Sequence, residues 1–225
     1  MLPGPYHQAM PSGLTLDLSR TSVFLDFDGT ITERDVNQHL LDRFTGDAWL
    51  PLRDEYRAGT IGSRECLIGH WELLDPDESA LRSAAAEVPL DPGFEPLVAA
   101  LRAAGADLVV VSDGFGFRAE DVCADVGVAV LTNHVDWSAG RLEFPHEDRC
   151  CPCSTCGVCK QAPIKEARRS GRTTVLVGDG TSDRKAALLA DVVFAKGRLA
   201  RWCTLQEVPH RRFATLADVH GALLP

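Results

Sequence analysis

Four short apolar runs punctuate the chain: Val23-Phe24-Leu25, Leu108 to Val111, Thr174 to Val177, and Val192 to Ala195. None alternates apolar with polar residues, so each reads as a strand buried on both faces of a parallel sheet. Between them the apolar period lengthens to that of helices. Val36, Leu40, Leu41 and Phe44 form one apolar stripe, and Asp47 to Ala58 forms a second helix ended by Gly59. Ser63 opens a third, with Leu67, Ile68, Trp71 and Leu74 on its apolar face, and Asp77 to Glu87 is a fourth. Residues 33–88 therefore read as all helical. After them come helices over Pro92 to Ala104, closed by Gly105, and Phe115 to Val126. Further helices are expected from Lys160 to Arg169, from Asp183 through Leu189, from Gly197 to Leu205, and within Phe213 to Leu224. Val128 to Leu131 and Arg141 to Phe144 are expected to pair as a β-hairpin across Asp136 to Gly140. Strands alternating with helices predict an α/β fold with a Rossmann-like parallel sheet.

A length of 225 residues allows one substantial core and a smaller second unit. Apolar content of 45% and charged content of 24% are ordinary for a globular protein. A net charge of -9 argues against non-specific binding to nucleic acid. No apolar run approaches the ~20 residues of a membrane span. Residues 1–20 lack the basic and apolar regions of a signal peptide and read as a disordered leader, so a cytoplasmic location is expected. Monomer and homodimer are both open.

The candidate chemistry sits where apolar runs end. After Leu25 come Asp26 and Asp28, then Gly29-Thr30. Two carboxylates at the end of a buried strand are costly without a cation, and Mg²⁺, which takes oxygen ligands, removes that cost. The second run ends in Ser112-Asp113-Gly114, whose hydroxyl and backbone N–H groups can donate to phosphate oxygens. The third ends in Gly178-Asp179-Gly180-Thr181-Ser182-Asp183. A different kind of signal lies between. Five of the eight cysteines fall within residues 150–159, and Cys150, Cys153, Cys156 and Cys159 are spaced by three. Four such thiolates suit a structural Zn²⁺; an iron–sulfur cluster and uncoordinated thiols are the alternatives. Cys66, Cys123 and Cys203 lie in apolar helical contexts and read as core thiols.

The stretch Asp26-Phe27-Asp28-Gly29-Thr30 resembles the opening signature of the haloacid dehalogenase (HAD) superfamily phosphatases. The run Gly178 to Asp183 is similar to the fourth motif of that family, and Ser112 stands at its second. The resemblance implies a phosphomonoester hydrolase working through an aspartyl phosphate. Asp26 would be nucleophile, Asp28 general acid and base, Ser112 and Lys160 the phosphoryl-holding residues, with Lys165 as competitor for the lysine. Phosphate would be held by Ser112, Asp113, Gly114 and Lys160. Mg²⁺ would be bound by Asp26, Asp28 and Asp179, with Asp183 behind them.

Residues 33–88 look like the small helical cap of the subgroup containing phosphoserine phosphatase, leaving residues 21–32 and 89–225 as the HAD core. Asp35 stands where phosphoserine phosphatases have a Glu, but Ile68 stands where they need an Arg. Asn133-His134, the Cys-rich loop ending in Cys159-Lys160, Val193 to Gly197, and Phe213 are more similar to the methionine-salvage phosphatases, which act on a keto/enol-1-phosphate. Asp35, Asn37, Arg57 and His70 are the candidate substrate contacts. The expected partner is a small phosphate ester. Phosphocholine, phosphoethanolamine and sugar phosphates are alternative substrates. A phosphotransferase or mutase and a non-catalytic metal- or redox-sensing module are alternative functions.

Overall fold

Strand β1, Thr21–Leu25, is the centre of the molecule because all five of its residues are buried. The computed structural model describes residues 16–75, 77–146 and 155–224. Four helices follow β1: α1, Val36–Thr45; α2, Leu50–Ala58; α3, Ser63–Glu72; and α4, Glu78–Ala86. Sequence chemistry sets their ends. Asp35 and Asp77 accept backbone N–H bonds from Gln38 and Ala80 as N-caps, and Gly59 ends α2 in the left-handed region at φ 78°. The chain then alternates: α5, Phe94–Ala103; β2, Asp107–Val111; α6, Phe117–Val126; β3, Ala129–Leu131. A small ribbon follows, made of β4, His134–Asp136, and β5, Arg141–Glu143. The alternation resumes with α7, Gln161–Arg169; β6, Thr173–Gly178; α8, Arg184–Ala187; β7, Val192–Ala195; α9, Gly197–Leu205; β8, Arg211–Arg212; and α10, Leu216–Leu223.

Six of the strands make one parallel sheet in the order β3-β2-β1-β6-β7-β8. The chain winds outward from β1 in one direction and from β6 in the other. The crevice outside the carboxyl ends of β1 and β6 is thus the switch point where α/β sheets bind ligands. Alternate residues of β1 feed two cores. Val23 and Leu25 join α5 and the helices of residues 36–86 through Leu40, Leu41, Leu67, Trp71 and Leu81. Phe24 faces the other way, onto Ile164, Leu176, Ala186 and Leu199. The helical insert therefore shares its core with one face of the sheet. An antiparallel bridge between Thr32 and Leu90 ties its two stems together.

Two expectations are corrected. The hairpin across Asp136 to Gly140 exists, but its first strand is His134–Asp136. Val128 to Leu131 instead supplies β3, which pairs parallel with β2. Second, β2 is not buried along its length: Asp107 is exposed and Leu108 and Val109 are half-buried, because β3 flanks only its carboxyl half. The expected leader reaches only partly into the described residues; Leu18–Arg20 forms a 3₁₀ turn capped by Asp17, and residues 1–15 lie outside them. No helix among the described residues is long and apolar enough to cross a membrane.

Asp91 ties the segment that returns from the helical insert to the start of α10. It is 6% exposed, and its carboxylate accepts from Gly93 N–H at 2.8 Å and Leu216 N–H at 2.9 Å. Asp91→Ala strands the buried Leu216 N–H and the half-buried Gly93 N–H, and we expect it to cost about 2–4 kcal/mol of stability. Urea denaturation checks this, and a midpoint unchanged from wild type would contradict it.

Candidate active site

Asp26 directly follows β1, and its N–H continues the ladder by donating to Val177 O at 2.9 Å. Its carboxylate is thereby delivered, 5% exposed, to the carboxyl edge of the sheet. The chain then turns at Gly29, φ 76°, where a Cβ would lie 3.0 Å from Asp179 Oδ2. A side chain there would meet both backbone strain and the second acidic motif. Asp28 is held from two sides. Val36 N–H donates to its Oδ1 at 3.0 Å and Ser112 Oγ donates to its Oδ2 at 3.2 Å. Gly114 N–H donates to Ser112 Oγ at 3.2 Å, so this expected phosphate donor closes a local turn.

Lys160 enters from the start of α7 with its ammonium buried. Its Nζ donates to Asp26 Oδ1 at 2.5 Å and Asp183 Oδ1 at 2.8 Å. The other oxygen of Asp183 accepts from the N–H groups of Asp179, at 3.2 Å, and Gly180, at 3.0 Å. Asp183 therefore spends both oxygens on holding Lys160 and the loop that carries Asp179. It stands at the N-cap of α8 without capping it through its side chain. Burial raises the Asp26 carboxyl well above the ordinary range, aided by Asp183 and Asp179 and opposed by Lys160. Burial and then Asp35 raise Asp28 to about 7, and burial, Asp183 and Asp35 raise Asp179 to about 6. Lys160 moves up as well: burial pulls it down, but Asp183 and Asp26 together outweigh that.

A family model described as haloacid dehalogenase-like hydrolase matches residues 23–188, the span that carries all of these groups. The chain belongs to this family. Within this hydrolase family it is a phosphatase. It is 31% identical over 206 residues to a 2-hydroxy-3-keto-5-methylthiopentenyl-1-phosphate phosphatase of Exiguobacterium sp., covering 88% of this chain and 95% of the relative. A protein of the same name from Brevibacillus brevis is 29% identical over 204 residues, covering 88% of this chain and 92% of the other. In fold, a phosphoserine phosphatase solved as a phospho-aspartyl intermediate analogue superimposes with a TM-score of 0.67 at 16% identity, covering 91% of this chain and 98% of that one.

The HAD family implies Mg²⁺, and the donor set fits it. Carboxylate oxygens of Asp26, Asp179 and Asp183 lie within 4.8 Å of one another. Three carboxylates against the single ammonium of Lys160 leave a local charge that a divalent cation would neutralise. All the donors are hard oxygens, as Mg²⁺ prefers.

The cleft above these groups has a volume of about 140 Å³. Asp35, Asn37, Arg57 and His70 all line it. Asn37 Oδ1 accepts from Phe115 N–H at 3.2 Å. His70 is buried, with Nε2 3.2 Å from Trp49 O and its ring beside the Cys66 thiol, so it belongs to the floor of the insert. Trp49, Arg53, Tyr56, Ser63 and Arg198 also line the cleft, and the sequence did not single them out.

Asp113 has a role that the sequence pattern concealed. Its half-buried carboxylate accepts from Ser63 Oγ at 2.5 Å and from Val158 N–H at 2.8 Å. Gly157 N–H donates to Ser63 Oγ at 3.3 Å, and Arg64 N–H to Thr155 O at 3.2 Å. The segment just ahead of Lys160 is thus fastened to the first turn of α3 and the end of β2 together. Gly157 is required at this crossing, where a Cβ would come within 2.6 Å of Asp113 Oδ1. Of the expected zinc ligands, Cys150 and Cys153 lie outside the described residues. Cys159 N–H donates to His146 O at 3.1 Å, closing the base of the cysteine loop beside Lys160.

Proposed function

We propose that this chain hydrolyses a small phosphate monoester through an aspartyl phosphate on Asp26. We propose further that the ester is a keto/enol-1-phosphate of the kind named for its relatives. The observation that carries the reading is the hold on Asp26. Lys160 takes Oδ1 inside a buried acidic cluster, while Asp26 lines the cleft next to Asp28. Asp26 attacks phosphorus, the ester P–O bond breaks, and Asp28 gives its proton to the departing oxygen. Asp28 then takes a proton from a water that attacks the same phosphorus and releases Asp26. Lys160 and Ser112 hold the phosphoryl group during both steps. Asp26, Asp179 and the Asp28 main-chain carbonyl would hold Mg²⁺, which would supply neutralising charge to the phosphoryl oxygens, and Asp183 would steady those residues from behind. Residues 33–88 act as the cap that covers the site and excludes water.

The organic arm is read from the cleft wall. Leu41, Trp49, Cys66 and Leu67 line it, a surface suited to a neutral thioether chain. With Mg²⁺ present, we expect kcat/KM on the keto/enol phosphate to exceed that on phosphoserine and phosphocholine by about a hundredfold, the worth of a few buried methylenes. Phosphate release across such a panel tests this. Equal rates would remove the substrate assignment, and absence of release from every ester would remove the phosphatase reading.

A further inference from the structure

Phosphoryl transfer uses one wall of the cleft. Two arginines on its lining are left over: Arg57, in the last turn of α2, and Arg198, in the first turn of α9. One comes from the helical insert and the other from the layer packed on the sheet. Arg53, one turn before Arg57, is already satisfied. Its guanidinium donates to Asp54 Oδ1 at 2.7 and 2.9 Å and lies 5.1 Å from the Trp49 ring centroid. Arg57 and Arg198 make no ion pair among the described residues, and Arg198 Nε is buried without a hydrogen-bond partner. Asp35 and Asp54 are the acidic groups that act on Arg57 from nearby, but Asp35 is committed as the N-cap of α1 and Asp54 to Arg53. Arg57 is exposed at the cleft; burial of part of it, Arg198 and Arg53 together push its guanidinium below its ordinary range, as expected for like charges lining one cleft.

The Arg198 Nε is buried without an acceptor, which is costly; the Asp179 carboxylate acts on this guanidinium from the metal side, and the second guanidinium in the cleft adds repulsion. An oxygen-centred anion between them would remove both costs. The phosphoryl group is already supplied with Lys160, Ser112 and the acidic metal site. We propose that Arg57 and Arg198 form a second oxyanion subsite, which grips an electron-rich oxygen on the substrate's organic arm near the phosphate: a carboxylate, an enolate or a polarised carbonyl. Insert and core each contribute one arginine, so this grip also draws the two together over a bound substrate. The inference rests on the phosphatase reading and specifies the ester: phosphates bearing a vicinal oxyanion are preferred over plain alkyl phosphates.

The test separates binding from turnover. Calorimetry in Mg²⁺ compares 3-phosphonopropionate with propylphosphonate, which differ only in the carboxylate. Phosphate release is measured in parallel from phosphoglycolate and propyl phosphate. Wild type is expected to bind the carboxylate-bearing phosphonate about tenfold or more tightly, one charge-assisted contact's worth. Arg57→Ala, and separately Arg198→Gln, should each bring that ratio close to one, and Arg57→Lys should restore part of it. The same loss should appear in the ratio of kcat/KM values. A wild-type binding ratio near one, or a ratio unchanged in both variants, overturns the subsite. Intact binding selectivity with no phosphate released from either ester would instead overturn the phosphatase reading while leaving the subsite standing. Circular dichroism of each variant guards against misfolding, and Arg198→Gln, which keeps a polar group in place, serves where Arg57→Ala fails to fold.

Discussion

Asp26→Asn abolishes phosphate release, by roughly 10⁴-fold or more, and leaves the fold in place. The magnitude is that of removing a covalent nucleophile from a site whose other parts remain. An amide does not attack phosphorus as a carboxylate does, and neither Asp28 nor Asp179 replaces it, since of these three Asp26, at the end of β1, is the one that accepts from Lys160. The fold should survive because Asn is isosteric and its N–H still donates to Val177 O. Stability should hold or rise slightly. The variant loses half of the Lys160 pairing, but it removes one of the buried carboxylates that Asp183 and Asp179 repel. Steady-state release and a thermal melt read the two halves of the expectation. Retention of more than a few per cent of the wild-type rate would take the nucleophile role from Asp26.

That residue was legible in the sequence because everything defining it is local: an apolar run, a second carboxylate two positions on, and a glycine that lets the chain turn. Asp179 stands out in the same local way, whereas the lysine came only from the family resemblance, with Lys160 and Lys165 both in play. The parallel sheet was legible too, since strands buried on both faces leave unbroken apolar runs. What escaped was pairing and convergence. Val128 to Leu131 and Arg141 to Phe144 flank a good turn, so they looked like partners. In fact His134–Asp136, with Val135 as its one aliphatic residue, is the strand that the turn reverses onto β5. Choice of partner depends on which edge is available, and β2 had one to offer Ala129–Leu131. Ser63, Asp113 and Gly157 meet from three distant segments, and each has an ordinary local reading as helix start, turn residue or loop glycine. Arg198 likewise looks like a surface residue of an amphipathic helix until the insert is folded over it.

Lys160→Ala should damage both rate and stability, and metal should repair part of the second effect alone. The Lys160 side chain is 3% exposed, and it pairs with Asp26 and Asp183, whose side chains are 6% and 0% exposed. Removing one member of a buried ionic cluster leaves its partners uncompensated, which typically costs about 3–5 kcal/mol. Here the remainder is three carboxylates, those of Asp26, Asp179 and Asp183, with no ammonium among them. A divalent cation bound by that remainder would offset much of the loss by binding the folded state. The melting temperature of the variant should therefore rise more on adding Mg²⁺ than that of wild type, starting from a lower value in chelator. Turnover should stay low, by about 10²–10³-fold, because the ammonium that accompanies the phosphoryl group is gone. Arginine is not a rescue: its planar fork needs more room than the point charge seated between Asp26 and Asp183. Melts in chelator and in Mg²⁺, together with initial rates, measure both effects. Wild-type melting without metal would mean that Lys160 does not hold the cluster together, and a wild-type rate would mean that the phosphoryl group never relies on it.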